Sequence, residues 1–286
     1  MTSSTVAQIL AQIARELARS AVETPELDAE LLVAYSLGVD RAWLIAHAKE
    51  PLTPEQETSI RAVAARRARR EPMAYITGRR WFYDIELWVT PAVLIPRPET
   101  EELVERALTW LRQRPRAVVA DIGTGSGAIA LTITKHTPAD VHILATDISS
   151  EALAVARENA RRLGLISRVH FCGGDLLAAL PQPVDLLLAN LPYVAERDAP
   201  ELMPEVKRFE PPQALFSGPA GLDHLRRLLT QAPDFLRPQG AILLEIGWNQ
   251  GDEATQLARQ RFPHARIHLH QDLSGHDRIL EIDTSS

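Results

Sequence analysis

Along the first part of the chain Val6, Ile9, Leu10, Ile13 and Leu17 recur at helical spacing, and Leu27, Leu31, Leu32, Tyr35 and Trp43 with Leu44 continue the pattern. That periodicity predicts short amphipathic helices packed as a bundle. A further helix is expected to begin near Pro54, with Thr53 as its cap and proline at the first helical position, and to end by Pro72. The period changes between Tyr75 and Val93. After Gly78, the residues Trp81, Tyr83, Ile85 and Leu87 alternate with more polar positions, which predicts a hairpin with these side chains packed on one sheet face. Beyond Pro98 strand and helix patterns alternate, with strands expected near 117–122, 141–146, 168–171, 184–189, 240–246, 265–270 and 278–284 and helices near 99–113, 127–136, 150–163, 221–236 and 249–261. Only Asp272-Leu273-Ser274-Gly275 separates the last two strands, too little for a parallel crossover, so the sheet should close with an antiparallel hairpin. The expected organisation is a helical bundle over residues 1–73, a β-hairpin linker over 74–97, and an α/β domain over 98–286 whose largely parallel, seven-stranded sheet carries helices on both faces.

Composition narrows the class. The chain has 286 residues, 45 % hydrophobic and 24 % charged, near the globular average, and no apolar run reaches bilayer length. A soluble protein is expected. Its amino terminus lacks the basic flank and apolar block of a signal peptide, and a single cysteine, Cys172, permits no intrachain disulfide, so a reducing cytoplasm fits. A formal net charge of −6 offers no general attraction to polyphosphate. The arginines Arg61, Arg66, Arg67, Arg69 and Arg70 could face an acidic partner, but read more simply as a solvated helix face. His264, His268, His270 and His276 lack a cysteine or acidic set at ligand spacing, and no metal is expected.

Two segments carry candidate chemistry. The apolar run Val184-Asp185-Leu186-Leu187-Leu188-Ala189 ends in Asn190-Leu191-Pro192-Tyr193, at the carboxyl end of an expected strand, where open α/β sheets bind ligands. A residue before proline is held extended, which leaves the Leu191 carbonyl free to accept. With the Asn190 side-chain oxygen it would give two acceptors to one NH2 group, and an aromatic ring stands beside them. The second segment, Asp121-Ile122-Gly123-Thr124-Gly125-Ser126-Gly127-Ala128, is a glycine-rich turn opening a helix, and the next strand ends at Asp147, placed to accept ribose hydroxyls. Read through Gly123, Gly125 and Ala128, the loop also fits a nicotinamide fingerprint, so a dehydrogenase stays open, as does a purely structural turn. Three features tilt toward S-adenosylmethionine. Asp121 suits a cationic methionine end better than a pyrophosphate, Asp175 after the third strand can accept from an adenine amino group, and hydride transfer has no use for Asn190-Leu191-Pro192-Tyr193.

With these residues in view, nearly the whole chain resembles the release-factor glutamine methyltransferases, the PrmC/HemK family. The resemblance rests on Pro72-Met73-Ala74-Tyr75-Ile76-Thr77-Gly78, Leu94-Ile95-Pro96-Arg97-Pro98-Glu99-Thr100-Glu101, the glycine loop, the Asn-X-Pro-Tyr motif and Arg208-Phe209-Glu210-Pro211. It implies a Rossmann-like S-adenosylmethionine-dependent methyltransferase domain preceded by a substrate-recognising helical domain. It also implies methylation of the Gly-Gly-Gln glutamine of class 1 peptide-chain release factors, with S-adenosylhomocysteine as product and no metal. The cofactor positions it implies are Gly123, Thr124, Gly125, Ser126, Gly127, Asp147, Asp175, Leu176 and Asn190; the substrate positions are Asn190, Leu191, Pro192 and Tyr193. Leu191 departs from the family's usual proline, yet keeps the backbone carbonyl on which that position's role depends. A cytoplasmic monomer without stable nucleic-acid or membrane binding is expected. Arg97 and Thr100 read as a surface arginine and a helix cap, with a share in the pocket implied by the family; Glu210 could seat the target loop or pair with Arg208. The alternatives are an adenine amino methyltransferase, which needs the same two-acceptor grip, the nicotinamide oxidoreductase, and a non-catalytic binding protein that retains the fold.

Overall fold

A computed structural model describes residues 4–272 and 274–285. Leu273 of the expected terminal turn and residues 1–3 at the amino terminus lie outside the described residues. The chain divides into two compact units, Met1–Gly78 with Met203–Phe209, and Arg79–Leu202 with Glu210–Ser286.

The first unit is helical: α1 (Val6–Arg19), α2 (Pro25–Leu37), α3 (Arg41–Ala46), α4 (Pro54–Ala68), α5 (Met73–Thr77) and, from the returning segment, α9 (Pro204–Phe209). Thr5 and Thr53 each accept from the backbone N–H three residues on, while Gln8 and Gln56 reach back to the cap N–H. These reciprocal bonds satisfy helix-start donors that would otherwise go unpaired. Val6, Ile9, Ile13 and Leu17 on α1 are fully buried against Leu32 and Val33 of α2 and Ile60 of α4 in one core. Two expectations are corrected here. Residues 73–77, read partly as hairpin linker, form α5, ended by Gly78 in the left-handed region. The arginine run is only in part a solvated face: Arg61 and Arg69 are exposed, but Arg67 is buried and bonds Asp28 at 2.6 Å and Glu205 at 2.9 Å, and Arg70 bonds Glu205 at 2.6 and 2.7 Å.

In the second unit β1 (Arg79–Phe82) and β2 (Ile85–Trp88) form the antiparallel hairpin. The expected aromatic stripe does not sit on one face. Tyr83 takes a positive φ of 55° in the turn, which breaks the alternation, so Phe82, Ile85 and Leu87 are buried while Trp81 is 65 % exposed.

The remaining elements are α6 (Thr100–Leu111), β3 (Val118–Ile122), α7 (Ala128–His136), β4 (His142–Asp147), α8 (Ser150–Arg162), β5 (Val169–Gly173), β6 (Val184–Ala189), α10 (Asp223–Phe235), β7 (Leu236–Glu245), α11 (Gly251–Arg261), β8 (Arg266–Gln271) and β9 (Asp277–Asp283). Seven strands lie in the order β5-β4-β3-β6-β7-β9-β8. The first five are parallel, and β9 runs antiparallel to both β7 and β8. Every residue of β3 is buried, as expected of a central parallel strand covered on both faces. Leu187, Ile242 and Leu280 of the sheet share a core with Leu225, Leu228 and Leu229 of α10. β7 starts earlier than its composition suggests, because a register shift opposite Val184 and Leu186, with Gln239 at φ 65°, carries the loop-like Arg237-Pro238-Gln239-Gly240 within the strand. Chain order reverses direction between β3 and β6, and that switch point opens a crevice at the strands' carboxyl ends.

Candidate active site

A cavity of about 200 Å³ occupies this crevice, walled by Pro96, Arg97 and Thr100, the glycine loop, Thr146-Asp147-Ile148, Gly174-Asp175-Leu176 and Asn190-Leu191-Pro192. Gly123, Gly125 and Gly127 all have positive φ, between 56° and 85°, a region costly for residues with a Cβ. A Cβ on Gly127 would lie 2.9 Å from Leu131 Cδ1, whereas one on Gly125 would meet nothing nearer than the Gly123 carbonyl at 4.0 Å. Gly127 thus serves close packing of loop on helix, and Gly125 keeps its side of the cavity clear.

The acids around the loop hold it in shape. Asp121 is fully buried beneath it and is not part of the cavity wall. Its Oδ2 accepts from Thr124 Oγ1 at 2.6 Å and from the Ala130 N–H at 3.1 Å, and burial pushes its carboxyl up to about 7. Asp147, on the wall, accepts from the N–H groups of Gly125 at 2.9 Å and Ser149 at 2.8 Å; burial raises its pKa above the ordinary carboxylate value. Asp175 pairs with Arg227 of α10. Leu176 is buried with φ 50°. Among the described residues two buried oxygens at this edge, Asp121 Oδ1 and Thr146 Oγ1, have no hydrogen-bond partner, which is unusual for buried polar atoms; of the two, only Thr146 lies on the cavity wall, where a ligand carrying donors could reach it.

At the end of β6, Asn190 Nδ2 donates to Thr100 Oγ1 at 2.9 Å. Thr100 in turn donates to Glu245 Oε2 at 2.6 Å. Burial pushes the Glu245 carboxyl up to about 7. The Leu191 carbonyl has no hydrogen-bond partner among the described residues, and Leu191 joins Asn190 on the cavity wall. Tyr193 does not line this cavity but an adjoining small one, with Pro192, Glu245 and Gln250; burial raises its phenol to about 12, so it stays protonated. The segment is pinned from behind. Gln250 Nε2 bonds the carbonyls of Tyr193 at 2.9 Å and Gly221 at 3.1 Å, and a Cβ on Gly221 would sit 2.2 Å from the Tyr193 carbonyl.

Arg97 is not a free surface arginine, nor does Glu210 pair with Arg208. Glu210 is buried, accepts from Arg97 at 2.6 Å and from the Ile95 N–H at 3.2 Å, and so fixes the Ile95-Pro96-Arg97 wall. Thr100 is likewise buried and bonded rather than a simple cap. Sequence reasoning missed Glu245, Gln250, Gly221 and Asn159, the last of which bonds the Ser126 carbonyl and both backbone groups of Trp88. None belongs to a contiguous motif. His268 and His270 stack at 6.1 Å, with His270 bonded to Glu281 at 2.7 Å, well outside the cavity wall.

Residues 8–78 match the family described as PrmC N-terminal domain, and residues 114–257 match the family described as Methyltransferase domain. A release factor glutamine methyltransferase of Bordetella pertussis is 46 % identical over 257 residues, covering 89 % of this chain and 93 % of the relative. One from Moorella thermoacetica is 42 % identical over 277 residues, covering 96 % and 97 %. Among solved structures, a ribosomal protein L11 methylase from Lactobacillus delbrueckii subsp. bulgaricus superposes with a TM-score of 0.51 at 23 % identity, covering 69 % of this chain and 84 % of its own, and shares the fold.

Proposed function

Because the chain belongs to the release factor glutamine methyltransferase family, we propose that it moves a methyl group from S-adenosylmethionine to the side-chain amide nitrogen of the Gly-Gly-Gln glutamine in class 1 release factors. The observation that carries this reading is the pair of acceptors at the end of β6: an Asn190 amide whose NH2 is already committed to Thr100, and a Leu191 carbonyl without a partner among the described residues. The residues around the cavity fit the methyl donor. Gly125 leaves room for it, Asp147 on the wall would accept ribose hydroxyls, and Thr146 Oγ1, on the wall and without a partner among the described residues, would accept from one of its donors. Asp175 would accept from the adenine amino group while holding Arg227.

When bound, S-adenosylmethionine supplies an electrophilic methyl carbon on a positively charged sulfur. A glutamine amide nitrogen is a poor nucleophile, because its lone pair is delocalised into the carbonyl. Asn190 Oδ1 and the Leu191 carbonyl would accept its two N–H groups, turn the nitrogen toward the methyl, and stabilise the positive charge that builds as the N–C bond forms and the S–C bond breaks. The alkylated nitrogen is acidic and loses its proton to water, so no strong base is required. Tyr193, kept neutral by burial, would support the flat amide by packing. Recognition of the release factor is assigned in part to the helical unit, where α2 exposes Leu27, Leu31 and Tyr35 at four-residue spacing along one face.

The test is transfer of labelled methyl from S-adenosylmethionine to a class 1 release factor, to the same factor carrying Gly-Gly-Ala, and to an adenine-containing duplex. Label on the Gly-Gly-Gln factor alone is expected. Label on the duplex would instead favour an adenine amino methyltransferase, and equal label on both factors would remove the glutamine from the reaction.

A further inference from the structure

We propose that Thr100 and Glu245 are positioning residues that decide which end of the Asn190 amide faces the acceptor substrate. The inference rests on the glutamine-methylating reading of the site. An asparagine amide presents an acceptor on one side and two donors on the other, and only the acceptor suits an incoming NH2 group. Nothing in the Asn190-Leu191-Pro192-Tyr193 segment itself selects the orientation.

The buried chain behind it does. A carboxylate only accepts, so Thr100 must give its single hydroxyl proton to Glu245 at 2.6 Å. Thr100 Oγ1 is then limited to accepting, and the Asn190 group facing it at 2.9 Å must be the NH2. Asn190 Oδ1 is left for the substrate. Protonation of Glu245 reverses the sequence: the carboxylic acid can donate to Thr100, whose proton then turns toward Asn190 and favours the flipped amide, donor against donor. Thr100 and Glu245 are 4 % and 5 % exposed, so water does not readily replace either bond.

The groups that bear on Glu245 come from several elements. Burial raises its proton affinity to about 7, the Thr100 bond and the positive charge of Arg278 on β9 lower it, the negative charge of Glu99 raises it, and the Asn190 amide lowers it. Tyr193 stands near it as a neutral phenol. Methyl transfer should therefore rise with pH through the neutral range as Glu245 ionises.

The experiment measures kcat, KM for the release factor and S-adenosylmethionine affinity across pH for wild type, T100V, T100S and E245Q. T100V and E245Q should lose turnover on the order of tenfold to a hundredfold, keep S-adenosylmethionine affinity, and lose the acidic limb of the wild-type profile. T100S, which restores the hydroxyl, should recover most of the turnover and the limb. Unchanged affinity certifies that T100V and E245Q are folded at this edge; if either fails that check, the other decides. Wild-type turnover and pH profile in T100V or E245Q at unchanged S-adenosylmethionine affinity, or a loss confined to S-adenosylmethionine binding in both variants, overturns the positioning role. A wild-type enzyme that leaves the release factor unmethylated overturns the underlying reading, and this one with it.

Discussion

Asn190 is the residue on which the chemistry turns, and its contribution separates cleanly from cofactor binding. Replacing it with alanine removes one of two preorganised acceptors at the reacting nitrogen, so turnover should fall by the equivalent of about 2–4 kcal/mol. Single-turnover methyl transfer beside a titration with S-adenosylmethionine checks this; undiminished turnover would sink the assignment. Asn190→Asp should still bind the cofactor. At this scale the sequence was informative wherever function is written contiguously. The glycine loop and Asn190-Leu191-Pro192-Tyr193 stand out because turn and strand-end chemistry depends on neighbours in the chain. Glu245 and Gln250 did not, and Thr100 drew notice only through the family segment that contains it, because the bonds that give them meaning run to residues 145, 57 and 90 positions away. Asp121 was foreseen as important but for a different reason: it braces Thr124 and Ala130 from below the loop.

Among the elements, helices and central strands were legible from period and length, and boundaries moved by a few residues at most except where backbone conformation intervened. In the hairpin, one left-handed residue, Tyr83, shifted the alternation so that Phe82 rather than Trp81 is buried. Where composition assigns a run of arginines to solvent, Arg67 of α4 and Arg70 just after it turn inward because their acidic partners lie elsewhere, Asp28 on α2 and Glu205 on α9. No local pattern carries that information. Burial raises the pKa of Glu205, but bonds from Arg70, its own backbone and Arg67 outweigh it and hold the carboxyl below its ordinary value. Removing one partner of a buried pair strands the other charge, so Glu205→Ala should destabilise the helical unit by about 3–5 kcal/mol. Denaturant unfolding followed by circular dichroism would show it, and a change below about 1 kcal/mol would mean the pairs are screened as surface pairs are.

For the whole molecule, two buried acids at one edge of the sheet set a pH dependence opposite to that of ordinary ion-paired carboxylates. Asp121 and Glu245 both titrate at about 7 because burial disfavours their charged forms, whereas in the unfolded chain each would ionise near pH 4. Between those values the folded protein holds protons that the unfolded chain has released. The stabilisation is full below about pH 4 and is lost as pH rises toward 7. The Tm contribution of this edge should accordingly fall from about pH 4 to about pH 7, and Asp121→Asn together with Glu245→Gln should flatten the profile. A wild-type and double-variant pair with parallel profiles would place the titrating groups elsewhere. The family assignment, the parallel sheet and the crevice at its switch point all converge on a methyl transferred to a planar NH2 group, and what distinguishes one such acceptor from another is the atom that receives it. The measurement to make is tandem mass spectrometry of a class 1 release factor after incubation with this enzyme and S-adenosylmethionine. A single methyl on the glutamine side chain of the Gly-Gly-Gln peptide, absent with Asn190→Ala, is the expected result. A methyl on any other residue, or on that glutamine at equal yield with Asn190→Ala, would contradict the two-acceptor grip.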